Sequence, residues 1–260
     1  MSKLTDRIRR VLRVDSPPIG FGSAVRVSNP TLLLVGLLRS LDPEAAKEAV
    51  TGGSDTCLFS VPDVKDQDVK RALGTLGEVS CGLHLRRVDG EAAAHLVELG
   101  VDYVAFEPDG ALATALLESD LGHVLSLEGD LPDVYLRTLE ALPLDAILLP
   151  QWKGPLTVRQ QMELYRISGL ARKPLILPVW PQITSAELQM LREAAVVAVA
   201  AEVEGKTASD TLASLRKLID ELPPRRRRRE EHGEAILPRV AEIMAAASGE
   251  GEEEEEEEEW

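Results

Sequence analysis

The sequence predicts one (β/α)8 barrel, a closed ring of eight parallel strands in which each strand is followed by a helix. Three observations lead to this fold class. Short apolar runs, rich in β-branched residues, occur eight times along the chain. Their starts lie roughly 21 to 29 residues apart, the length of one strand, one helix and two short loops. The segments between them carry signals for the beginning and end of helices.

The eight runs are apolar on both faces and do not alternate between apolar and polar residues. This pattern is typical of parallel strands covered by helices. In chain order the runs are TLLLVGLL (31–38), TCLFSV (56–61), VSCGLHL (79–85), DYVAFEP (102–108), HVLSLEG (123–129), AILLPQ (146–151), PLILPVW (174–180) and VVAVAAEV (196–203). A doubly wound open sheet also accommodates eight units and is the alternative, although the absence of GxGxxG after the first strand counts against its nucleotide-binding form.

Capping residues predict where the intervening helices begin. Asp42, which a proline follows, is an N-cap with proline in the first turn. The spacings of Thr157 with Gln160 and of Thr184 with Glu187 are those of capping boxes, in which side chain and backbone cap each other. Each signal falls between two apolar runs, as the alternation of strand and helix requires.

Glycines and aspartates predict where the chain leaves a helix and enters the next strand. Four glycines follow helical segments and precede strands, where a left-handed residue commonly ends a helix: Gly52, Gly77, Gly100 and Gly122. Three aspartates near strand starts are expected in loops at the opposite end of the barrel from the strand carboxyl ends: Asp55, Asp102 and Asp145.

Two segments lie outside the repeating pattern. Residues 3–13 place Leu4, Ile8 and either Val11 or Leu12 on one side, which predicts a short amphipathic helix that packs on the barrel and could close its bottom. Five consecutive arginines and eight consecutive glutamates near the C-terminus cannot pack, so this tail is expected to be disordered. The predicted domains are the N-terminal helix and lead-in (1–23), the barrel (24–222) and the Arg-run, possible helix and poly-Glu tail (223–260).

The composition of the chain disfavours several classes of function. Aromatic residues make up only 3% of the chain, which disfavours a base-stacking surface, so nucleic acid is not expected as a partner. Glu250 and residues 252–259 supply nine of the net fifteen negative charges, so the barrel itself is only mildly acidic. No run of 18 apolar residues and no apolar signal-peptide core occur, so neither a membrane partner nor secretion is expected.

The two cysteines fit a cytoplasmic protein. Cys57 and Cys81 lie in apolar strand runs, without CxxC spacing or a histidine pair that would indicate zinc. Buried thiols are expected in a reducing compartment, because disulfides belong mainly to oxidising ones.

Reacting groups in such barrels come from the carboxyl ends of the strands. The polar and aromatic residues at these predicted ends are Arg39, Ser60, Asp63, His84, Arg86, Glu107, Glu128, Asp130, Gln151, Lys153, Trp180, Gln182, Glu202 and Glu204. Alignment of YVAFEP with VLSLEG places Glu107 and Glu128 at matching positions on neighbouring strands. If both point inward, they are about 5 Å apart, the spacing of adjacent strands.

Glu107 and Glu128 are candidate catalytic residues and candidate metal ligands. Two close carboxylates either share a proton or bind a divalent cation such as Mg²⁺ or Mn²⁺ through oxygen ligands. The alternative is that one or both point outward or pair with a nearby cationic side chain. His84 is a candidate general base if it points inward, and the alternation GLHLRR permits either direction.

Lys153 is the third type of catalytic candidate. It follows the sixth predicted strand in the stretch LLPQWKGP, where Trp152 could help to desolvate the amine that a Schiff base requires. Gly154 and Pro155 follow at once, so Lys153 could instead be a loop residue or contact a substrate anion.

A phosphate-binding segment is predicted after the eighth strand. The backbone N–H groups of Gly205, Lys206 and Thr207 stand at the start of the last helix, where many barrels hold a substrate phosphate. The alternative is that Thr207 caps this helix together with Asp210.

The unit VELGVDYVAFEP, with its Gly, Asp and apolar run, resembles the repeating unit of aldolase-type (β/α)8 barrels. The resemblance covers roughly residues 31–222 and is generic. Class I aldolases in this superfamily commonly carry a lysine on the sixth strand, to which Lys153 is similar in position. Enolase-type barrels place carboxylates on the third, fourth and fifth strands and a lysine on the sixth. Glu107, Glu128 and Lys153 are similar to these, but His84 stands where the first carboxylate would be and no separate capping domain is present.

These observations together predict a soluble enzyme of the lyase or isomerase kind that acts on a small anionic metabolite. The competing hypothesis is a barrel without catalysis that serves as a binding or scaffold protein. A homo-oligomer is compatible with either hypothesis, and the sequence names no substrate.

Overall fold

The computed structural model describes residues 2–13, 30–62, 64–205 and 208–223. The strands are β1 (Leu33–Leu38), β2 (Thr56–Ser60), β3 (Ser80–Leu85), β4 (Tyr103–Phe106), β5 (Gly122–Ser126), β6 (Ala146–Leu148), β7 (Leu175–Pro178) and β8 (Val196–Glu202). The α-helices are α1 (Lys3–Leu12), α2 (Pro43–Thr51), α3 (Asp66–Leu76), α4 (Gly90–Leu99), α5 (Asp133–Thr138), α6 (Val158–Ala171), α7 (Ser185–Glu193) and α8 (Ala208–Asp220). The predicted Arg-run and poly-Glu tail lie outside the described residues.

The eight strands form one closed barrel in which each strand pairs with its neighbours in chain order and β8 closes on β1. All pairings are parallel, from Val35 opposite Thr56 in the first pair to Leu33 opposite Ala198 at the closure. The predicted (β/α)8 barrel is therefore confirmed, and the open sheet is excluded. None of the helices in the described part of the chain has the length and apolarity needed to cross a bilayer.

The unit after β4 differs from the predicted pattern, because a 3-10 helix (Ala113–Leu117) takes the place of an α-helix. A turn at residues 108–110 and an isolated parallel bridge between Val88 and Ala111 occupy the chain directly after the strand. Too few residues then remain before Gly122 for a regular helix of several turns.

Two separate hydrophobic cores stabilise the barrel. The outer core lies between the sheet and the helices and includes Phe59, Leu83 and Leu125. The inner core fills the barrel itself with side chains of the opposite strand face, among them Leu58 and Ala105. Successive side chains of a strand alternate between these two cores. The side chain two positions after an inner-core residue therefore also points toward the barrel axis.

Helix α1 closes the amino-terminal end of the barrel, as its amphipathic pattern predicts. Leu4, Ile8 and Val11 are buried in the inner core. The carboxylate of Asp102 accepts hydrogen bonds from the backbone N–H groups of Lys3 at 2.6 Å and Leu4 at 2.9 Å. A carboxylate at a helix N-terminus satisfies N–H groups that have no partner within the helix.

The other two strand-start aspartates hold the preceding strand in place. Asp55 accepts a hydrogen bond from the N–H of Leu34 at 2.8 Å, and its own N–H donates to the carbonyl of Leu34. Asp145 makes the same two bonds with His123. All three aspartates therefore lie at the amino ends of the strands, opposite the catalytic face expected in such barrels.

The prediction that four glycines end helices in the left-handed conformation is partly wrong. Gly100 ends α4 in the left-handed conformation, with φ 92°. Gly77 has a positive φ of 59° but lies outside the left-handed region, and Gly52 is right-handed while the next residue, Gly53, has φ 82°. Gly122 is instead the first residue of β5, where an added Cβ would lie 2.8 Å from the Ser2 Oγ. Close packing at the barrel bottom, and not a helix end, requires that glycine.

Helix starts match the capping predictions. Thr157 with Gln160 and Thr184 with Glu187 form capping boxes, and the Asp42 side chain accepts from the N–H of Glu44. The two cysteines are free and buried, and burial raises the pKa of each thiol to about 12. They therefore belong to the outer core and are poor nucleophiles.

Candidate functional site

The carboxyl ends of β2, β3 and β4 surround a cavity of about 370 Å³ at the mouth of the barrel. Its lining residues are Ser60, Val61, Pro62, His84, Leu85, Arg86 and Glu107. Ser60 is paired with His84 in the sheet, and His84 is paired with Ala105, so three adjacent strands supply the cavity wall. The structure thus brings two of the predicted catalytic residues, His84 and Glu107, into one cavity.

His84 lies on the inner side of β3, two residues beyond Gly82. An added Cβ at Gly82 would strike the ring of Tyr103 inside the barrel, so that glycine faces the barrel interior. His84 follows on the same face and is half-buried. Its position in the mouth cavity is the inward orientation that the alternation in the sequence left open.

The electrostatic environment of His84 combines burial with two carboxylates. Partial burial lowers the pKa of His84 below the ordinary value of 6.5, because it disfavours the charged imidazolium. The negative charges of Glu107 and Glu128 act in the opposite direction but do not outweigh burial. The neutral imidazole is therefore the main form at pH 7, and both glutamates are near enough to influence it.

The register of the sheet differs from the alignment that placed Glu107 and Glu128 at matching positions. That alignment puts Ala105 opposite Ser126, whereas the sheet pairs Ala105 with Val124. The two glutamates are thus offset by two residues along the strands, about 6.6 Å. The offset reflects the stagger that closing a barrel requires. The expected separation of one strand spacing between them is therefore wrong, and Glu128 lies farther out and is exposed.

The charged groups at the mouth fall into two sectors. Beside β8 and β1, Arg39 is paired with Glu202 at 3.4 Å and with Glu204 at 3.0 Å. In the sector of β3 to β5, neither Glu107 nor Glu128 forms an ion pair with any described residue. The alternative that these carboxylates pair with a nearby cationic side chain finds no support among the described residues. The unpaired sector is the one that contains His84.

Lys153 lies apart from the mouth cavity. Strand β6 ends at Leu148, and Lys153 is an exposed residue in the loop that leads to α6. It is not among the residues that line the cavity of His84 and Glu107. At this exposed position, its amine can bind an anion from solvent. Its role as a Schiff-base nucleophile remains a prediction.

The predicted phosphate-binding segment is described only at its start. Gly205 has a positive φ of 75°, and Lys206 and Thr207, like Asp63 after β2, lie outside the described residues. Glu202 and Glu204 stand just before this segment with Arg39 as their cationic partner. Binding of phosphate by residues 205–207 therefore stays a prediction.

Metal binding rests on Glu107 and Glu128 alone. Within the described ranges, no group of three or more His, Cys, Asp or Glu side chains is arranged to hold a metal ion. Mg²⁺ or Mn²⁺ at these two glutamates would need water or substrate oxygens to complete its six octahedral ligands.

Sequence reasoning did not include two polar residues of the cavity, Ser60 and Arg86, among the candidate site residues. Both belong to the polar residues at the predicted carboxyl ends of the strands, and Arg86 follows His84 by two positions. The signal that could have identified them is the pairing of Ser60 with His84 across β2 and β3, which local sequence patterns do not reveal.

Solved structures similar to this chain are barrels of several activities. Phosphoribosyl anthranilate isomerase from Thermus thermophilus aligns at 16% identity and TM-score 0.54, over 74% of this chain and all (100%) of its own. The HpcH/HpaI aldolase from Desulfitobacterium hafniense DCB-2 aligns at 11% identity and TM-score 0.53, over 74% and 94% of the two chains. Orotidine 5'-monophosphate decarboxylase from Methanocaldococcus jannaschii, complexed with the inhibitor BMP, aligns at 12% identity and TM-score 0.55, over 73% and 99%.

These likenesses show that the chain has the (β/α)8 barrel fold, and they do not single out one family. No protein-family model matches the chain, and no curated protein sequence is significantly similar to it.

Proposed function

We propose that this barrel is an enzyme of the lyase or isomerase kind that transfers a proton on a small anionic metabolite at the mouth between β2 and β5. The observation that carries the proposal is the half-buried His84 in one cavity with Glu107, whose carboxylate has no ion-pair partner among the described residues. A histidine and a carboxylate that share a cavity, with the pKa of the histidine shifted by its surroundings, are candidates for a functional site.

His84 is the general base in this proposal. Its lowered pKa leaves the imidazole neutral and able to accept a proton at pH 7. Once His84 is protonated, the charges of Glu107 and Glu128 stabilise the imidazolium. Activity that depends on neutral His84 is lost as the pH falls through its pKa, which lies below 6.5.

The remaining side chains bind and orient the substrate. Arg86 lines the same cavity and supplies a fixed cation with several donors, suited to a carboxylate or phosphate group. Glu107 can accept a hydrogen bond from a substrate hydroxyl or exchange a proton with it. Lys153 contacts an anion at the rim. Two of the similar structures carry phosphate-bearing compounds in their names, which supports a phosphorylated substrate here.

In a second version of this proposal, a divalent cation assists the same proton transfer. Mg²⁺ or Mn²⁺ bound by Glu107 and Glu128 would polarise a substrate oxygen while His84 moves the proton. Titration of the protein with Mn²⁺, followed by paramagnetic broadening of the His84 ring signals, tests this version, since Glu107→Gln should weaken the broadening.

Solvent deuterium exchange tests the proposed proton transfer without knowledge of the product. We expect the protein in D₂O to exchange a carbon-bound proton of at least one member of a panel of phosphorylated sugars and keto acids, followed by NMR. His84→Gln should reduce the exchange rate by about 100-fold or more, because general base catalysis contributes 10² to 10⁴. Lys153→Ala should lower the rate by no more than about tenfold, as expected for a contact at the rim. His95→Gln, at an exposed histidine that does not line the mouth cavity, is the matched control and should exchange as the parent does.

The same panel separates the competing hypotheses. Trapping by borohydride of an adduct that is lost in Lys153→Ala would establish a Schiff-base mechanism in place of the one proposed. Ligand binding without exchange by any member would favour a non-catalytic barrel. Exchange that His84→Gln leaves unchanged would contradict the assignment of the base.

A further inference from the structure

A second cavity, of about 550 Å³, opens on the outer face of the barrel beside the mouth. It lies among the β2–α3 loop, the start of α3, the end of β3 and α4, and we call it the α3–α4 groove. Its lining residues are Pro62, Val64, Asp66, Leu85, Arg86, Arg87, Ala92, His95 and Leu96. The volume falls in the range of 300 to 1,000 Å³ typical of small-molecule sites.

The floor of the α3–α4 groove is apolar. Leu85 and Leu96 are buried beneath it, and Val64 and Ala92 are half-buried at its sides. Ala92 is the smallest of these side chains, and its position on α4 leaves room for a ligand above the helix. Apolar surface of this kind binds the ring or chain of a ligand by removing it from water.

The rim of the α3–α4 groove is cationic. Arg86 and Arg87 are consecutive, exposed, and without an ion-pair partner among the described residues. By contrast, Arg166 is held by Asp130 at 2.8 Å and by Asp133 at 2.7 Å. Each guanidinium group presents several N–H donors in one plane, which suits a carboxylate, phosphate or sulfonate.

Among the described residues that line the α3–α4 groove, the acidic one, Asp66, is already paired. The Oδ1 of Asp66 lies 3.1 Å from the Nε2 of His95, a contact that links the start of α3 to α4. Asp66 is therefore less able to neutralise the two arginines or to repel an incoming anion.

We propose that the α3–α4 groove is a binding site for a small organic anion with an apolar body. The anionic group is bound by Arg86 and Arg87, and the apolar part packs on Leu85, Ala92 and Leu96. The α3–α4 groove adjoins the mouth cavity, and the two share the lining residues Pro62, Leu85 and Arg86. Arg87 and Ala92 line only the groove, and His84 lines only the mouth cavity, so these three side chains distinguish the two sites.

Fluorescence titration with 1-anilinonaphthalene-8-sulfonate, an aromatic sulfonate, tests the proposal. The full chain should bind this probe saturably at one site, with backbone amide shifts in ¹⁵N spectra concentrated at residues 92–96. Arg87→Gln should weaken binding at least about tenfold, the expected loss of a hydrogen bond to a charged group. Ala92→Phe should also weaken it, by filling the floor. Arg159→Gln, an exposed arginine on α6, is the matched control and should bind as the parent does.

Three results would overturn the proposal. The first is that the parent shows no saturable binding of the probe. The second is that Arg87→Gln binds the probe as tightly as the parent does, and the third is that the amide shifts lie outside residues 92–96. His84→Gln should leave the affinity within about twofold, since that side chain lines only the mouth cavity. Binding that depends on His84 and not on Arg87 would place the probe at the mouth and likewise reject the α3–α4 groove. The proposed proton transfer would stand in each case.

Discussion

Replacement of Gly82 by alanine should destabilise the barrel by at least about 3 kcal/mol, at the upper end of the usual cost of overpacking a core. A Cβ at this position would overlap three ring atoms of Tyr103. The ring cannot move aside easily, because it is only 1% exposed and its hydroxyl is fixed. That hydroxyl donates to the Cys57 carbonyl at 3.2 Å and accepts from the Thr56 hydroxyl at 3.2 Å.

Thermal unfolding by calorimetry measures this effect. The expected loss corresponds to a fall in Tm of roughly 6 to 12 °C for a chain of this size. Gly169→Ala is the matched control, because this glycine lies inside α6 with nothing within 4 Å of the added Cβ. That substitution should be neutral or stabilise by up to about 1 kcal/mol. Combining Gly82→Ala with Tyr103→Leu should recover part of the loss, and a Tm of Gly82→Ala equal to that of the parent would refute the packing described for the barrel interior.

Replacement of Asp102 by alanine should cost about 3 kcal/mol or more, since its carboxylate loses three hydrogen bonds, two from backbone N–H groups and one from the Ser2 hydroxyl. The N–H groups of Lys3 and Leu4 would then have no partner at the start of α1. Because Leu4 and Ile8 lie in the inner core, loosening of α1 also exposes the barrel bottom to water. Asp102→Asn, which keeps the shape but loses the charge, should cost about half as much.

Calorimetry and hydrogen exchange together test the role of Asp102. The amides of α1 should exchange faster in Asp102→Ala than in the parent, while those of β7 should change less. Glu98→Ala removes an exposed carboxylate from α4 and serves as the control, with an expected change within about 0.5 kcal/mol. Unchanged protection of α1 in Asp102→Ala would show that apolar packing alone holds this helix.

The strands were predictable because each run is apolar on both faces, a pattern set by the two cores that every strand separates. Residues such as Cys57 and Leu58 are buried on opposite sides of the same strand. The aspartates before strands were also predictable in position. The hydrogen bonds of Asp102 to α1 were not, because its partners Lys3 and Leu4 lie about a hundred residues away in the chain.

The candidate site was only partly predictable, because its geometry depends on the stagger between strands. Strand periodicity indicated that His84 and Glu107 could both face inward. The offset between Ala105 and Ser126 follows from barrel closure, for which no local pattern exists. The pairing of Arg39 with Glu202 and Glu204 likewise joins the ends of β1 and β8, which become neighbours only when the barrel closes, so the sequence alone could not show which carboxylates remain unpaired.

The central claim is that half-buried His84 lies within the electrostatic reach of Glu107 and Glu128 at the barrel mouth, and an NMR titration of the histidine rings tests it most directly. The signal of His84, assigned by its loss in His84→Gln, should titrate below 6.5, because burial disfavours the imidazolium. In Glu107→Gln and in Glu128→Gln it should titrate lower still, because each substitution removes a negative charge that favours the protonated ring. His95, whose pKa is raised by its hydrogen bond to Asp66, should stay unchanged as the internal reference. A pKa of His84 at or above 6.5 that neither glutamate substitution lowers would contradict the site described at this mouth.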